Sequence, residues 1–257
     1  MIVLFTDFGL AGPYTGQVKA VLRRLAPAID VIDLFADAPA HNAQASAYLL
    51  PAYANEFPAG TTFFCVVDPG VGGPRVPGVL WADGRWYVGP MTGLFELIVR
   101  RAVEKTRWWE ITWRPDRLSA TFHGRDLFAP VVARLALGHS PDGIERPMND
   151  IRQQDWPDDL SQVIYIDGFG NAMTGLRASK IPQRTRFVVK DTEVDYARTF
   201  SDVSMGQAFW YQNANGLIEF AVNQGNAADI LGLTVGTEVI ATYSVTDVTA
   251  TTHRQGR

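Results

Sequence analysis

The chain has little of what several classes of protein require. Its 257 residues contain a single cysteine, Cys65, which rules out an internal disulfide and disfavours a disulfide-stapled secreted fold. Lys and Arg number 23 against 27 Asp and Glu, for a net charge of −4, and the sequence has no basic run. We therefore expect no nucleic-acid partner, because such proteins concentrate positive charge for the phosphates.

Long hydrophobic runs are missing as well. No apolar stretch approaches the ~18 residues that span a membrane, and the apolar start of the chain meets Asp7 too early for a signal peptide. We expect a soluble, cytoplasmic protein with no membrane partner. Hydrophobic residues make up 47% of the chain and charged residues 19%, which is typical of a globular protein rather than a disordered one.

Metal and nucleotide motifs are also scarce. The 4 histidines show neither the H-E-x-x-H spacing nor a combination with paired cysteines, so we predict no metal site. The glycine-rich stretch 68–75 lacks both the G-x-G-x-x-G spacing of dinucleotide sites and the Gly-Lys-Ser/Thr of a P-loop. Neither of these two nucleotide-binding classes is therefore predicted.

What the first half does contain is strand–helix alternation. Predicted strands cover residues 2–5, 31–34, 63–67, 79–81 and 86–88, and predicted helices cover 14–25, 41–57, 92–103 and 126–137. Such alternation is typical of an α/β sheet of parallel type. We predict a Rossmann-like α/β domain with a mostly parallel sheet over residues 1–145.

The composition changes after this domain. Residues 146–160 are poor in apolar side chains and rich in Pro and Asp, which indicates a linker. Beyond them the pattern is mostly strand-like, and we predict a smaller all-β barrel or sandwich over 161–250. Residues 251–257 are predicted to be a frayed tail.

Two carboxylates follow apolar strands closely. Asp7 comes after the first predicted strand and Asp68 after the third. Because ligands of open α/β sheets bind at the carboxyl ends of strands, both are candidate site residues. The alternative is that they only cap helices or end strands.

Asp68 opens a glycine-rich stretch that ends at Arg75. Glycine permits positive φ angles and a tight curl, so Arg75 can return to pair with Asp68. Such a pair would place a fixed positive charge beside the carboxylate. An ordinary glycine-rich turn is the alternative.

His123 directly precedes a predicted helix. The positive end of a helix disfavours the imidazolium, so we predict a neutral ring that can donate or accept a hydrogen bond. A capping or surface histidine is the alternative. His41, His139 and His253 lie in stretches with no comparable cluster, and we expect them to be exposed. Cys65, inside an apolar strand, is expected to belong to the core.

The second half offers further candidates, each of which can also be an ordinary turn. The segment from Asp167 to Asn171, with Phe169 at its centre, follows a predicted strand, and Ala214-Asn215 precedes another. Phe200 lies among turn-forming residues, where an exposed ring can stack on a flat ligand.

Six blocks of the sequence together resemble the S-adenosylmethionine hydroxide adenosyltransferases, metal-free S-adenosyl-L-methionine hydrolases related to the fluorinases and chlorinases. In the family's order, the blocks are LFTDFG (4–9), VVDPGVGGPR (66–75), TFHGRDLFAP (121–130), IDGFGN (166–171), TFSDV (199–203) and NGLIEFAVNQGNAA (215–228). The resemblance implies hydrolysis of S-adenosyl-L-methionine to adenosine and L-methionine, by attack of water or hydroxide on ribose C5′ and with no cofactor.

Matching the motifs position by position implies roles for the catalytic residues. Asp68, Arg75 and His123 match the family's Asp-Arg-His triad. The resemblance implies that Asp68 orients and deprotonates the water and that Arg75 stabilises its hydroxide character. His123 would complete the hydrogen-bond relay.

Substrate-binding roles are implied in the same way. Asp7 matches the carboxylate that holds the ribose hydroxyls, and Phe200 matches the ring that stacks on adenine. Asp167 and Asn171 match positions around the methionine end, the sulfonium and the adenine. Phe8 and Phe169 are further positions that match substrate-binding residues of the family. The backbone at four more positions matches contacts to the edge of the adenine ring: Ala214, Asn215, Val222 and Gln224.

The resemblance also implies a homotrimer with sites at its subunit interfaces, between one subunit's α/β domain and a neighbour's β domain. The sequence departs from the family at Met91-Thr92, where Asp-Asn is usual, and at Ala214, where Ser is usual; both bear on substrate affinity. Asp68 stands where fluorinases have Tyr, and Gly124 where they have a halide-binding Ser, so halogenation is disfavoured.

Two alternatives of different kinds stay open. The first is a metal-dependent hydrolase that uses Asp7, Asp68 and His123 as ligands. The second is a non-catalytic sensor that binds a nucleoside or S-adenosylmethionine without turnover.

Overall fold

The computed structural model describes residues 1–242, and contacts along the chain divide it into two compact units with a boundary between Asp158 and Asp159. Within the described residues, no helix is long and apolar enough to cross a membrane. The predicted tail, residues 251–257, lies outside the described residues.

A seven-stranded mixed sheet is the centre of the N-terminal unit. Its strands are β1 (Ile2–Thr6), β2 (Val31–Phe35), β3 (Thr62–Val66), β4 (Pro77–Ala82), β5 (Arg85–Pro90), β6 (Arg107–Ile111) and β7 (Gly143–Arg146). They are arranged in the order β2-β1-β3-β5-β4-β6-β7. The first four in this order run parallel, and the remaining pairings are antiparallel.

The prediction of a mostly parallel sheet is therefore right for only one half of the sheet. Asp83 and Gly84 join β4 to β5 in a tight hairpin, and their φ angles of 45° and 74° suit such a turn. Because a hairpin reverses the chain, β4 runs against β5, and β6 and β7 add to it in alternating directions. The N-terminal unit is a mixed α/β sheet.

Helices cover this sheet. They are α1 (Tyr14–Leu25), α2 (Ala43–Ala54), α3 (Glu96–Arg101) and α4 (Ala129–Ala136). Helices α1 and α4 share one apolar core with β1 and β3, in which Val18, Leu22, Phe64 and Val132 are fully buried. Pro130 is the second residue of α4, which continues without a break from a π-helical turn over Gly124–Phe128. Since proline has no N–H to donate to the preceding turn, the irregular π turn lies where an α-helical hydrogen bond is missing.

Within residues 159–242, the C-terminal unit consists of two antiparallel sheets. Their strands are β8 (Leu160–Ile166), β9 (Ala172–Arg177), β10 (Arg186–Val189), β11 (Thr192–Val194), β12 (Ala208–Gln212), β13 (Leu217–Val222) and β14 (Ile240–Thr242). The strand orders are β12-β13-β9-β8 and β11-β10-β14, and helix α5 (Ala227–Leu231) follows β13. The predicted β-rich character is confirmed, and closure into a barrel stays a prediction.

A buried carboxylate holds much of the segment predicted as a linker, residues 146–160. The side chain of Glu96, at the start of α3, is fully buried. It accepts hydrogen bonds from Arg100 at 2.7 Å, from Arg152 at 3.0 Å and from the backbone N–H of Gln153 at 2.8 Å. Burial acts to raise the pKa of Glu96, but these hydrogen bonds outweigh it and hold the pKa below its ordinary value.

We expect Glu96→Gln to lower the free energy of unfolding by about 3 kcal/mol at neutral pH, because the two guanidinium groups lose their buried counter-charge. Since the folded-state pKa is depressed, the wild-type advantage should disappear as the pH falls through the acidic range and the carboxylate takes up a proton. Urea unfolding measures both effects.

The matched control is Glu110→Gln. Its carboxylate pairs with Arg146 at 2.7 Å on a more exposed surface, and its loss should cost less than about 1 kcal/mol. Equal destabilisation by the two substitutions would contradict a stabilising role for the buried cluster.

Candidate active site

The carboxyl ends of β1 and β3 lie side by side, because the strands are parallel neighbours with Thr6 opposite Val66. Asp7 follows β1 directly, and Asp68 lies two residues beyond β3. Both line one cavity of about 230 Å³ in the N-terminal unit. The other lining residues are Phe8, Tyr14, His41, Val66, Val71, Thr121, Phe122, His123 and Gly124. The two predicted carboxylates thus share a cavity.

Arg75 closes onto Asp68 through two nitrogens. Its Nε lies 3.0 Å from each carboxylate oxygen, and its Nη2 lies 2.5 Å from Oδ2. Only 5% of the Asp68 side chain and 9% of the Arg75 side chain are exposed. The guanidinium also lies over the ring of Phe128, 5.4 Å from its centroid. A planar guanidinium in this geometry fixes the position of the carboxylate and balances its charge.

The loop 68–75 can make this return because of its glycines. Gly72 has a φ of +78°, and a Cβ atom there would lie 2.5 Å from the carbonyl oxygen of Ala120. Any side chain would therefore strain the backbone and push the loop away from its neighbour. The glycine lets the chain curl so that Arg75 meets Asp68, as the spacing predicts.

His123 contacts the same guanidinium. Nη2 of Arg75 lies 2.8 Å from Nδ1 of His123. Because a guanidinium can only donate, Nδ1 must accept, and the proton of the neutral ring is then on Nε2. Burial, followed by the positive charge of Arg75, lowers the pKa of His123. The neutral ring predicted from the helix end thus has two further physical causes.

Asp7 is held by a backbone group that the sequence did not point to. Its Oδ2 accepts a hydrogen bond of 2.9 Å from the N–H of His41, whose own φ is 56°. Burial raises the pKa of Asp7, and this hydrogen bond opposes the rise. The expectation that His41 is exposed is confirmed, but it lies at the cavity rather than apart from any cluster.

Aromatic rings form another wall of the cavity. The centroids of Phe8, Tyr14 and Phe122 lie 5.3 to 6.1 Å apart. Phe8 was among the predicted site residues, whereas Tyr14 and Phe122 were not. Phe122 could have been predicted, because it is next to the candidate His123 in the sequence. Tyr14 is the first residue of α1, and only the tertiary fold brings it to the cavity.

The remaining predicted residues belong to the C-terminal unit. The carboxylate of Asp167 accepts hydrogen bonds of 2.9 Å from the N–H groups of Phe169 and Asn171, and one of 3.1 Å from the Asn171 side chain. These bonds close the turn between β8 and β9. The ring of Phe169 is 81% exposed.

Phe200 is half-buried rather than exposed. Its ring packs edge-on against Phe209 at 5.1 Å and Tyr211 at 5.6 Å. Tyr211 in turn donates a hydrogen bond of 2.5 Å to the buried Glu219, which also accepts from Asn213 at 2.8 Å. Burial raises the pKa of Glu219.

The predicted backbone contacts lie at the two ends of β13. Ala214 and Asn215 are in the turn before the strand, whereas Val222 ends it and Gln224 follows with a φ of 55°. Six residues of strand span about 20 Å. A single adenine ring cannot reach both ends, although an extended ligand can.

Within residues 1–242, no group of three or more His, Cys, Asp or Glu side chains is arranged to hold a metal ion. The ligands of the metal-dependent alternative, Asp7, Asp68 and His123, do line one cavity. Arg75 already contacts two of them, through the same Nη2 atom.

Comparison with known proteins places two family domains on this chain. The N-terminal domain of the SAM hydroxide adenosyltransferases matches residues 2–145, and the C-terminal domain of that family matches residues 161–240. The two matches are separated by the segment that Glu96 holds.

Individual proteins agree with the domain matches. The (R)-S-adenosyl-L-methionine hydrolase of Thermus thermophilus is 38% identical, covering 93% of this chain and 98% of its own length. The protein of the same name from Salinispora arenicola is 36% identical, covering 92% and 95%. A fluorinase from Actinopolyspora mzabensis is more distant, at 23% identity.

A solved structure shares the architecture. The crystal structure of an uncharacterized conserved protein from Thermotoga maritima superposes with a TM-score of 0.84 at 28% identity, covering 95% of this chain and 100% of that one. The domain matches, the relatives and this superposition extend over most of the sequence. The chain belongs to the SAM hydroxide adenosyltransferase family.

Proposed function

We propose that the protein hydrolyses S-adenosyl-L-methionine to adenosine and L-methionine without a metal or other cofactor. The observation that carries the proposal is the contact of Arg75 with both Asp68 and His123, at a cavity that also contains Asp7. Relatives at 36% and 38% identity bear the name of hydrolases of this compound, which supports the same assignment.

The reaction needs one well-placed water more than it needs strong acid catalysis. The water oxygen forms a bond to ribose C5′ while the C5′–S bond breaks, and the electron pair of that bond stays on sulfur as the neutral thioether of methionine. The attacking water gives up a proton. Because a sulfonium is already a good leaving group, holding the water in line and accepting its proton is the work left to the protein.

Asp68 is the acceptor that we assign to this proton. Its Oδ2 receives both Nε and Nη2 of Arg75, whereas Oδ1 receives only Nε, so Oδ1 keeps a lone pair for the water. The guanidinium would also stabilise the developing hydroxide. His123 would hold Arg75 through Nδ1 and offer its Nε2–H as a donor.

Asp7 is assigned to the ribose. A carboxylate can accept hydrogen bonds from both hydroxyls of a diol. One of its oxygens, Oδ2, receives the N–H of His41, which orients the group from the protein side.

Gly124 stands where the resemblance gives fluorinases a halide-binding serine. A Cβ atom at this position would lie 3.0 Å from the ring of Phe8 and 3.3 Å from the ring of Phe122. Gly124 offers no hydroxyl to a halide, and a serine there would require both rings to shift slightly. This supports hydrolysis over halogenation.

The rest of the substrate must be held outside this cavity. Its volume of about 230 Å³ is smaller than the roughly 300–1,000 Å³ of pockets that enclose drug-sized ligands. We propose a cytoplasmic homotrimer in which a neighbour's C-terminal unit completes the site with Phe200, Asp167 and Asn171. A solution mass of three times 28.3 kDa is expected, and a monomeric mass would contradict the trimer.

The stereochemistry at sulfur is part of the proposal. Both named relatives are hydrolases of (R)-S-adenosyl-L-methionine. Because the L descriptor already fixes the α-carbon, R refers to the sulfonium sulfur. We propose that the R epimer is the preferred substrate of this chain.

Incubation with each sulfur epimer, with and without EDTA, tests the proposed function. We expect adenosine and methionine from the R epimer at a rate that EDTA does not change. Asp68→Asn should lower kcat by about 10²–10⁴-fold through loss of the proton acceptor. Asp33→Asn, at an exposed ion pair with Lys19, is the control and should keep the wild-type rate.

Other outcomes of this incubation favour the alternatives. Activity lost in EDTA and restored by Mg²⁺ or Zn²⁺ would support the metal-dependent hydrolase. Tight binding with no product would support the sensor.

The acid limb of the pH profile should report His123. Its neutral ring accepts from Arg75, and its lowered pKa keeps it neutral below the ordinary histidine value. We therefore expect kcat/KM to stay level as the pH falls to about 6.5 and to decline only below it. His123→Asn keeps an acceptor without a titrating ring and should abolish the His123-dependent part of that limb. Activity that increases as the ring protonates would remove the neutral histidine from the mechanism.

A further inference from the structure

The aromatic wall is the part of the cavity to which the proposed chemistry gives no role. Tyr14 and Phe122 pack edge to face at 5.3 Å, and Phe8 lies 5.8 Å from Phe122 and 6.1 Å from Tyr14. All three rings line the cavity together with Asp7 and Asp68. Tyr14 is 49% exposed, more than a ring that serves only the core would be.

The charges around these rings leave the cavity suited to a cation. The charge of Asp68 is balanced by Arg75, and His123 is neutral as an acceptor. The carboxylate of Asp7 accepts a hydrogen bond from the neutral backbone N–H of His41, and electrostatic attraction by the His41 ring is a smaller influence on it than this hydrogen bond. Aromatic faces add further negative potential through their quadrupoles.

A guanidinium contacts the ring of Phe122, and the carboxylate of Asp126 compensates its charge. Arg125 lies over the ring of Phe122 at 5.2 Å, and it is held by Gln17 at 2.8 Å and Asp126 at 2.6 Å. Asp126 also accepts the backbone N–H of Ser119 at 2.9 Å, which ties the preceding loop to the same cluster. The ring of Phe122 is therefore fixed in place before any ligand binds.

We propose that Phe8, Tyr14 and Phe122 recognise the sulfonium cation of the substrate, and so distinguish it from neutral thioethers. This inference rests on the proposed function and deepens it. A sulfonium is a weakly hydrated cation carried on alkyl groups, the kind of charge that aromatic rings bind well. Methionine leaves as a neutral thioether, so the cation–π attraction to these rings is absent in the product.

These rings should affect KM rather than kcat, because the substrate loses its positive charge during the reaction. The positive charge on sulfur diminishes as the C5′–S bond breaks, so the rings stabilise bound substrate at least as much as the transition state. An interaction of this kind lowers KM without raising kcat. The three rings are therefore specificity-determining residues, and the proton-transfer step belongs to Asp68.

Tyr14 offers the sharpest test, because its exposure makes substitution tolerable and two variants separate the ring from the hydroxyl. We expect Tyr14→Leu to raise KM for S-adenosyl-L-methionine about three- to tenfold with kcat nearly unchanged. The inhibition constant of S-adenosylhomocysteine, a neutral thioether of nearly the same shape, should change less than twofold. Tyr14→Phe keeps the ring and should preserve the wild-type ratio of these two constants, and Phe122→Leu should repeat the effect of Tyr14→Leu.

Phe57→Leu is the matched control, since Phe57 packs edge-on against Phe63 at 5.5 Å and does not line the cavity. It should change neither constant, and thermal unfolding of all variants checks that they fold. Equal weakening of the charged and neutral ligands by Tyr14→Leu would overturn the inference and leave the rings a purely steric role. Unchanged KM in both leucine variants would overturn it as well. Failure of the wild-type protein to hydrolyse S-adenosyl-L-methionine would instead contradict the proposed function itself.

Discussion

The guanidinium of Arg75 is the group on which the arrangement of the cavity depends. It binds both oxygens of Asp68 and the acceptor nitrogen of His123, so one side chain sets the position of a carboxylate and the tautomer of a ring. The parallel pairing of β1 with β3 brings the two aspartates to one edge, and the glycine at 72 lets the loop return Arg75 there. The strand pairing places the two aspartates, the loop places Arg75, and Arg75 fixes Asp68 and His123, so the cavity needs all three features.

The charge balance of the cavity matches the charge balance of the proposed reaction. A cationic substrate becomes two neutral products and a proton. The cavity pairs the carboxylate of Asp68 with a guanidinium, whereas the carboxylate of Asp7 accepts a hydrogen bond from a backbone N–H. Aromatic rings then supply attraction that depends on the substrate's charge and not on its shape alone. Binding, proton transfer and product release would thus draw on separate groups of the same small cavity.

Local signals predicted the part of this site that local structure determines. Asp7 and Asp68 could be placed because each follows an apolar strand, and Arg75 because glycines mark a curled loop. Tyr14 and His41 could not, since the start of α1 and the segment before α2 reach the cavity only through tertiary packing. The antiparallel half of the sheet was missed although strands were predicted over 79–81 and 86–88. The hairpin between them reverses the chain, and β6 then pairs antiparallel with β4, which the alternation of strands and helices did not indicate. In the C-terminal unit, the sequence predicted strands and turns and placed Ala214-Asn215 before β13, but it could not predict that the ring of Phe200 packs against Phe209 and Tyr211, because that contact depends on tertiary packing.

The central claim is that water, held by Asp68 and Arg75, attacks ribose C5′. Hydrolysis of S-adenosyl-L-methionine in ¹⁸O-labelled water, followed by mass spectrometry of both products, tests it most directly. The account predicts one labelled oxygen in the 5′-hydroxyl of adenosine and none in methionine. Unlabelled adenosine, or label carried by the methionine fragment, would contradict it.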